Sequence, residues 1–341
     1  MIGSLFMTAA AAMLLPQADA AGAPKAPVEN QGSALRADDY RVAAIAYRLG
    51  RSGVRFCSGI YPLTGLLLHH LAEYDPAGRK MMAEAYQLQR GPGVLAVLDG
   101  TPASAAGLHA GDVLLSINGQ SFQSPLQIAA EADRKKWRRA VIATESRIES
   151  ELRKGPALLQ VLRDGRQIRV TLGSVPACPT RVRLARSSQI NAFANDGYAI
   201  MTVAMMNFTR NDDELALVLA HELAHNILGH PEQLREQKVP TGGFFRSFGK
   251  NASRVLATEE EADRLGIKLL WAAGYDVGAA IPFWRRLHAA FDKGPQLFRT
   301  HPDILKRERL IHETLAELGA TGQTRVRSDQ SSGKARFDSV D

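Results

Sequence analysis

The five residues His221-Glu222-Leu223-Ala224-His225 close an apolar run, Leu215-Ala216-Leu217-Val218-Leu219-Ala220. An uninterrupted apolar run of this kind belongs on a helix surrounded by protein. Asn211 or Asp212 can cap its start, with the acids Asp213 and Glu214 in the first turn, so a helix is expected from Asp212 to about His230. Two imidazoles and a carboxylate buried at its end would cost several kcal/mol unless paired or bound to a metal. A spacing of four residues puts both histidines on one helix face, within reach of one ion at about 2.0–2.1 Å. Glu222 sits one position on, so it flanks that ion without joining the ligand row. There it can take a proton from a water aimed at a peptide carbonyl. The pattern predicts one zinc ion per chain, with His221 and His225 as ligands and Glu222 as general base.

A third ligand has two sources. The pattern H-E-x-x-H-x-x-G-x-x-H fails, because Gly229 and His230 fall at the wrong offsets. The other source is a glutamate on a second helix, and Glu259-Glu260-Glu261-Ala262-Asp263 begins a candidate. Glu259 and Asp263 share a face, so Glu259 is expected on the metal and Asp263 behind a ligand histidine. Glu260 and Glu261 read as an acidic helix N-terminus. His230, His288, His109 and His312 read as surface or capping residues, and His69 and His70 as packing beside a leucine run.

Length and composition set the frame. The 341 residues suggest two domains, and 45% hydrophobic with only 6% aromatic residues suggests an aliphatic, largely helical core. The net charge of +7 is spread over helices that also carry acids, as in Lys306-Arg307-Glu308-Arg309. Solvated helix faces follow rather than nucleic-acid binding, leaving at most a peripheral attraction to anionic membrane. Leu5 to Leu15, Pro16 and Ala18-Asp19-Ala20 read as a signal peptide over 1–20, hence a periplasmic or extracellular protein. The rest of the chain has no run of 18 apolar residues, so no transmembrane segment is expected. Two cysteines, Cys57 and Cys178, predict one disulfide in an oxidising compartment.

Residues 21–34 read as a linker, 35–50 as an amphipathic helix, and Leu63–Leu71 and Arg79–Gln89 as short helices. Farther on, Ala106-Gly107-Leu108 and Gly111-Asp112-Val113-Leu114-Leu115-Ser116-Ile117-Asn118-Gly119 precede two alternating runs joined at Asp164-Gly165, a hairpin signature. This stretch resembles a PDZ domain of the bacterial protease type. The resemblance implies capture of an extended peptide by strand addition, with Gly91, Pro92, Gly93 and Val94 holding a terminal carboxylate. One long helix is expected over Leu126 to Arg153, longer than the wall of a usual PDZ groove.

His-Glu-Leu-Ala-His followed by Glu259-x-x-Ala-Asp-Arg-x-Gly resembles the M48 family of gluzincin peptidases, as do Asn191-Ala192-Phe193-Ala194, the acids at 212–214 and Thr300-His301-Pro302. The resemblance covers about residues 180–315. It implies that Asn191, Ala192, Phe193 and Ala194 pair with the substrate backbone, that His301 stabilises an oxyanion or caps the zinc, and that Arg307 supports the site. The expected architecture is α+β. After the signal peptide come a linker and N-terminal helical extension (21–90), a PDZ-like partly open β-barrel (91–173), and a mainly helical gluzincin metalloprotease domain with a small β-sheet (174–319). Residues 320–341 read as a disordered tail. The expected activity is that of an exported zinc endopeptidase acting on peptides or unfolded proteins. The alternative is a PDZ peptide-binding or chaperone-like protein whose zinc site is structural or self-inhibited.

Overall fold

A computed structural model describes residues 28–240, 249–291 and 304–319. The expectations for the signal peptide, the start of the linker, the phenylalanines at 244, 245 and 248, His301 with its neighbours, and the tail lie outside those residues.

The fold is α+β, and its two larger hydrophobic cores follow the two sequence patterns, with a smaller third cluster of Leu71, Ala72, Leu88, Ile128, Ala129 and Val141 beside them. The first core gathers around the helix Asp212–Ile227, in which every residue from Glu214 to His225 is buried. Asn211 caps that helix by accepting the Glu214 N–H at 3.0 Å, which satisfies a donor the helix cannot. Against it pack the helices Gly249–Ala272, Ala280–Phe291 and Ile304–Glu317. Val42, Ile45, Ala46 and Leu49 bury themselves in the same core from the helix Val28–Ser52. The amphipathic N-terminal segment is thus a wall of the peptidase-like core. Its helix starts at Val28, inside the stretch read as linker.

A small sheet borders this core. Val182–Ala185 runs parallel to Tyr198–Thr202, which pairs antiparallel with Ala192–Asn195. Among the described residues Ala192–Asn195 is therefore an edge strand.

The second core lies in an open antiparallel sheet. Its strands follow the order Leu66–His69, Gly93–Val97, Val113–Ile117, Ala157–Arg163, Arg166–Leu172, and Gln120–Ser121 pairs off the third. The alternating runs form the expected hairpin, and Asp164 and Gly165 take φ of 48° and 75° at its two-residue turn. Two expectations are corrected here. Leu63–Leu71 is mainly strand: Tyr61–Leu63 pairs with Val175–Ala177, and Leu66–His69 pairs with Gly93–Val97. Three leucines in a row satisfy a strand that is buried along part of its length as well as they satisfy a helix. The long helix also divides, into Pro125–Ala130 and Arg134–Leu152. Asp133 causes the break, because its side chain accepts the Lys135 N–H and starts the second helix. That helix does not project. Ile148 and Leu152 are buried in the sheet's core, while Glu145 and Glu149 meet the other half of the molecule.

Cys57 and Cys178 form a disulfide with Cα atoms 5.7 Å apart, joining the end of the N-terminal helical segment to the entry of the second half. Among the described residues, no helix is long and apolar enough to cross a membrane.

Candidate metal centre

His221 and His225 leave the same face of the Asp212–Ile227 helix, as their spacing dictates, and their Nε2 atoms stand 3.2 Å apart. Glu259 arrives from the Gly249–Ala272 helix. Its carboxylate oxygens lie 3.4 Å from His221 Nε2 and 3.5 Å from His225 Nε2. The two helices can approach so closely because of Gly266. A Cβ there would stand 3.2 Å from the backbone nitrogen of His221 and 3.3 Å from its Cα. All three side chains are buried, at 3%, 9% and 5% exposure.

These distances test whether an ion fits. Ligands at about 2.0–2.1 Å on the corners of a tetrahedron stand roughly 3.3 Å from one another. The separation of the two imidazole nitrogens matches that edge, each imidazole has one of the two Glu259 oxygens at a similar distance, and among the described residues this is the one group of histidine, cysteine and carboxylate side chains whose ligand atoms converge within 4.8 Å. Electrostatics agree. Burial alone would lower the His221 pKa, but Asp263 and Glu259 reverse this and raise it to about 10. The cluster therefore attracts positive charge strongly. Two imidazoles and a carboxylate suit zinc.

Support extends outward from His221. Asp263 Oδ1 lies 3.0 Å from His221 Nδ1, and Asp263 Oδ2 accepts the Nε–H of Arg307 at 2.7 Å. Burial would raise the Asp263 pKa, yet Arg307 and His221 hold it below the usual carboxylate range. The Arg307 guanidinium stacks 3.9 Å over the Trp284 ring, which itself meets His221 edge-on. Glu222 is buried beside His221 on the same helix.

Sequence reasoning missed His230. It is no surface residue: it is 1% exposed, with Nδ1 2.9 Å from His225 Nδ1 and Nε2 3.0 Å from Glu261 Oε2. Gly229, at φ 72°, ends the motif helix and turns the chain so that His230 folds back over His225. Glu260 and Glu261 are not at a helix N-terminus either, since their helix begins at Gly249. Glu260 instead pairs with Lys306. The nine-residue step from His221 to His230, crossing a glycine, was the signal available in the sequence.

Ala192, Phe193 and Ala194 lie on the edge strand, with Asn191 just before it, and Phe193 is 40% exposed. The Gly91–Val94 segment behaves differently from expectation. The Val94 N–H donates to Asp112 O at 2.7 Å, Pro92 O accepts the Leu114 N–H at 2.9 Å, and all four residues are buried. The Val94 N–H and the Pro92 carbonyl are therefore committed inside the sheet. The sheet's open edge on that side is Leu66–His69, and it borders a cavity also walled by Ile148, Leu152, Arg181 and Arg183.

Residues 166–239 and 245–315 match the model for Peptidase family M48, and residues 93–133 match a PDZ domain. The beta-barrel assembly-enhancing protease of Yersinia pestis is 30% identical over 155 residues, covering 36% of this chain and 32% of that protein. The mitochondrial metalloendopeptidase OMA1 of Schizosaccharomyces pombe is 29% identical over 164 residues, 42% of this chain and 49% of that one. The chain thus spans less than half the length of these curated relatives. Among solved structures, the HtrA3 PDZ domain bound to a phage-derived ligand aligns with 16% identity and a TM-score of 0.23, over 35% of this chain and 89% of that one.

Proposed function

We propose that this chain, which carries a peptidase family M48 domain and a PDZ domain, is a zinc-dependent endopeptidase of an oxidising compartment. The observation that supports it best is the buried convergence of His221, His225 and Glu259, with Glu222 next to the histidines on the motif helix. When bound, zinc supplies a Lewis acid that polarises the scissile carbonyl. The chain's own residues do the rest. An extended substrate pairs along the open edge of Ala192–Asn195, so that its carbonyl is presented to the site. Glu222 takes a proton from the attacking water and later returns it to the leaving amine. Asp263 holds His221 in orientation, and Arg307 keeps Asp263 ionised by hydrogen bonding to it.

The PDZ sheet supports recognition of peptide or unfolded-protein substrates, with the strand Leu66–His69 as the place where a peptide would add. The disulfide supports export, because such bonds persist outside reducing compartments. Quality control of envelope proteins is the task we assign, and His301 serves as an oxyanion donor or a self-inhibiting cap.

The test is cleavage of casein by the purified protein, with zinc content measured in parallel for Glu222→Gln and His301→Ala. Cleavage that Glu222→Gln abolishes while keeping its zinc supports the assignment. Higher activity in His301→Ala identifies the cap. Stoichiometric zinc with no cleavage of any substrate would favour a binding module instead.

A further inference from the structure

We infer that His230, held by Glu261, is the positioning residue that fixes the tautomer of His225 and so aims its Nε2 lone pair into the metal centre. The inference rests on the reading of His225 as a metal ligand and deepens it. An ionised carboxylate only accepts hydrogen bonds, so at 3.0 Å from Glu261 Oε2 the His230 Nε2 must carry the proton. In neutral His230 the other nitrogen, Nδ1, then offers a lone pair. His230 Nδ1 lies 2.9 Å from His225 Nδ1, so His225 Nδ1 must be the donor between them. That leaves His225 Nε2 without a proton. It is this nitrogen that stands 3.2 Å from His221 Nε2 and 3.5 Å from Glu259, at the tetrahedral edge. The reverse tautomer would place an N–H where a ligand lone pair is needed and would leave two acceptors facing each other at Glu261.

The arrangement parallels the one behind the other histidine, where Asp263 stands directly on His221 Nδ1. Behind His225 the contact on Nδ1 is His230, which relays a carboxylate from Glu261. The relay depends on local geometry. The left-handed Gly229 reverses the chain, and a single buried imidazole spans from the ligand to a carboxylate whose side chain is 61% exposed. Groups of this kind orient ligand rings, and their loss typically weakens metal binding by about 10–100-fold.

The experiment measures zinc affinity of the full chain by competition with a chromogenic chelator, together with the visible spectrum of the cobalt(II)-substituted protein. His230→Leu removes the acceptor, His230→Gln can restore one through its amide oxygen, and Glu261→Ala alters only an exposed side chain, so folding is not at stake. We expect zinc affinity to fall about 10–100-fold in His230→Leu, to recover in large part in His230→Gln, and to fall about threefold to tenfold in Glu261→Ala. The cobalt spectrum should shift in His230→Leu. Wild-type affinity and spectrum in both His230→Leu and Glu261→Ala would overturn the assignment while leaving the peptidase reading intact. A wild-type protein that binds zinc but cleaves nothing would sink the peptidase reading, and the affinities of the variants would still decide the role of His230.

Discussion

The molecule buries two clusters of charged and polar side chains, and they are built on opposite principles. Around the candidate metal centre, two imidazoles and a carboxylate converge. His221 Nε2, His225 Nε2 and Glu259 stand 3.2–3.5 Å apart. Between the Arg134–Leu152 helix and the small sheet, donors and acceptors are matched. Glu145 accepts from Arg183 at 2.5 Å and from Tyr198, and meets His70 at 3.2 Å; Arg183 also reaches Glu73 at 2.8 Å, and Arg181 donates to Glu149, as does Tyr61. The second cluster is complete without a ligand, and so it reads as a structural latch between the PDZ sheet and the peptidase-like core. The first gathers the donor set that suits zinc. Buried charge by itself therefore says little about function; what matters is which groups converge on one point.

The contrast should be sharpest in Glu222→Gln. The substitution keeps the size of the side chain and removes its basicity, so proteolysis should fall by about 10²–10⁴-fold while zinc content and melting temperature stay at wild-type values. A matching loss of zinc would show instead that Glu222 helps hold the ion, and the division between ligands and base would need redrawing.

The second cluster should respond the other way. Arg183→Ala leaves Glu145 buried without its main counter-charge. Breaking a buried pair from one side costs about 3–5 kcal/mol, and with the Arg183 side chain 23% exposed we expect about 3 kcal/mol in urea unfolding. Zinc affinity should not change. A parallel loss of zinc affinity would mean that the two clusters are coupled through the sheet that carries Tyr198.

The same cluster predicts a pH dependence. Burial pushes the Glu145 carboxyl up, but Arg183, His70 and Tyr198 outweigh it and hold it well below its ordinary value of 4.5. A depressed carboxylate stabilises the fold above its unfolded pKa and loses that contribution as pH falls through the folded one. Wild-type melting temperature should therefore drop as pH falls below about 4.5, and Glu145→Gln should show a flatter profile in that window. Equal slopes would assign the acid sensitivity elsewhere.

The metal helix was legible because a spacing of four has one consequence on a helix, whatever surrounds it. Asp263 was legible for the same reason, four residues after Glu259. What escaped was set by tertiary context. Leu66–His69 was hidden because a short leucine run carries no period, and its strand character comes from pairing with Gly93–Val97. The commitment of the Val94 N–H and the Pro92 carbonyl to the sheet is likewise set by pairing that sequence does not display. His230 escaped because its partner, Glu261, is distant in sequence and mostly exposed, and only the turn at Gly229 brings them together.

The smallest effect should come from the edge strand, and it probes the comparison from the substrate's side. Phe193 is a large apolar side chain left 40% exposed on a strand with one free edge. If an extended substrate adds there, its side chains cover part of that ring, which is worth about 1 kcal/mol or roughly a fivefold change in binding. Phe193→Ala should thus raise KM about fivefold while kcat and zinc affinity hold, because Phe193 lies on the edge strand and not on the helices that carry the ligands and the base. A fall in kcat with KM unchanged would place Phe193 in the chemistry, whereas no change in either would move the substrate to another edge. Substrate contacts belong on the side of the candidate centre rather than of the latch, and the Phe193 kinetics decide which strand provides them.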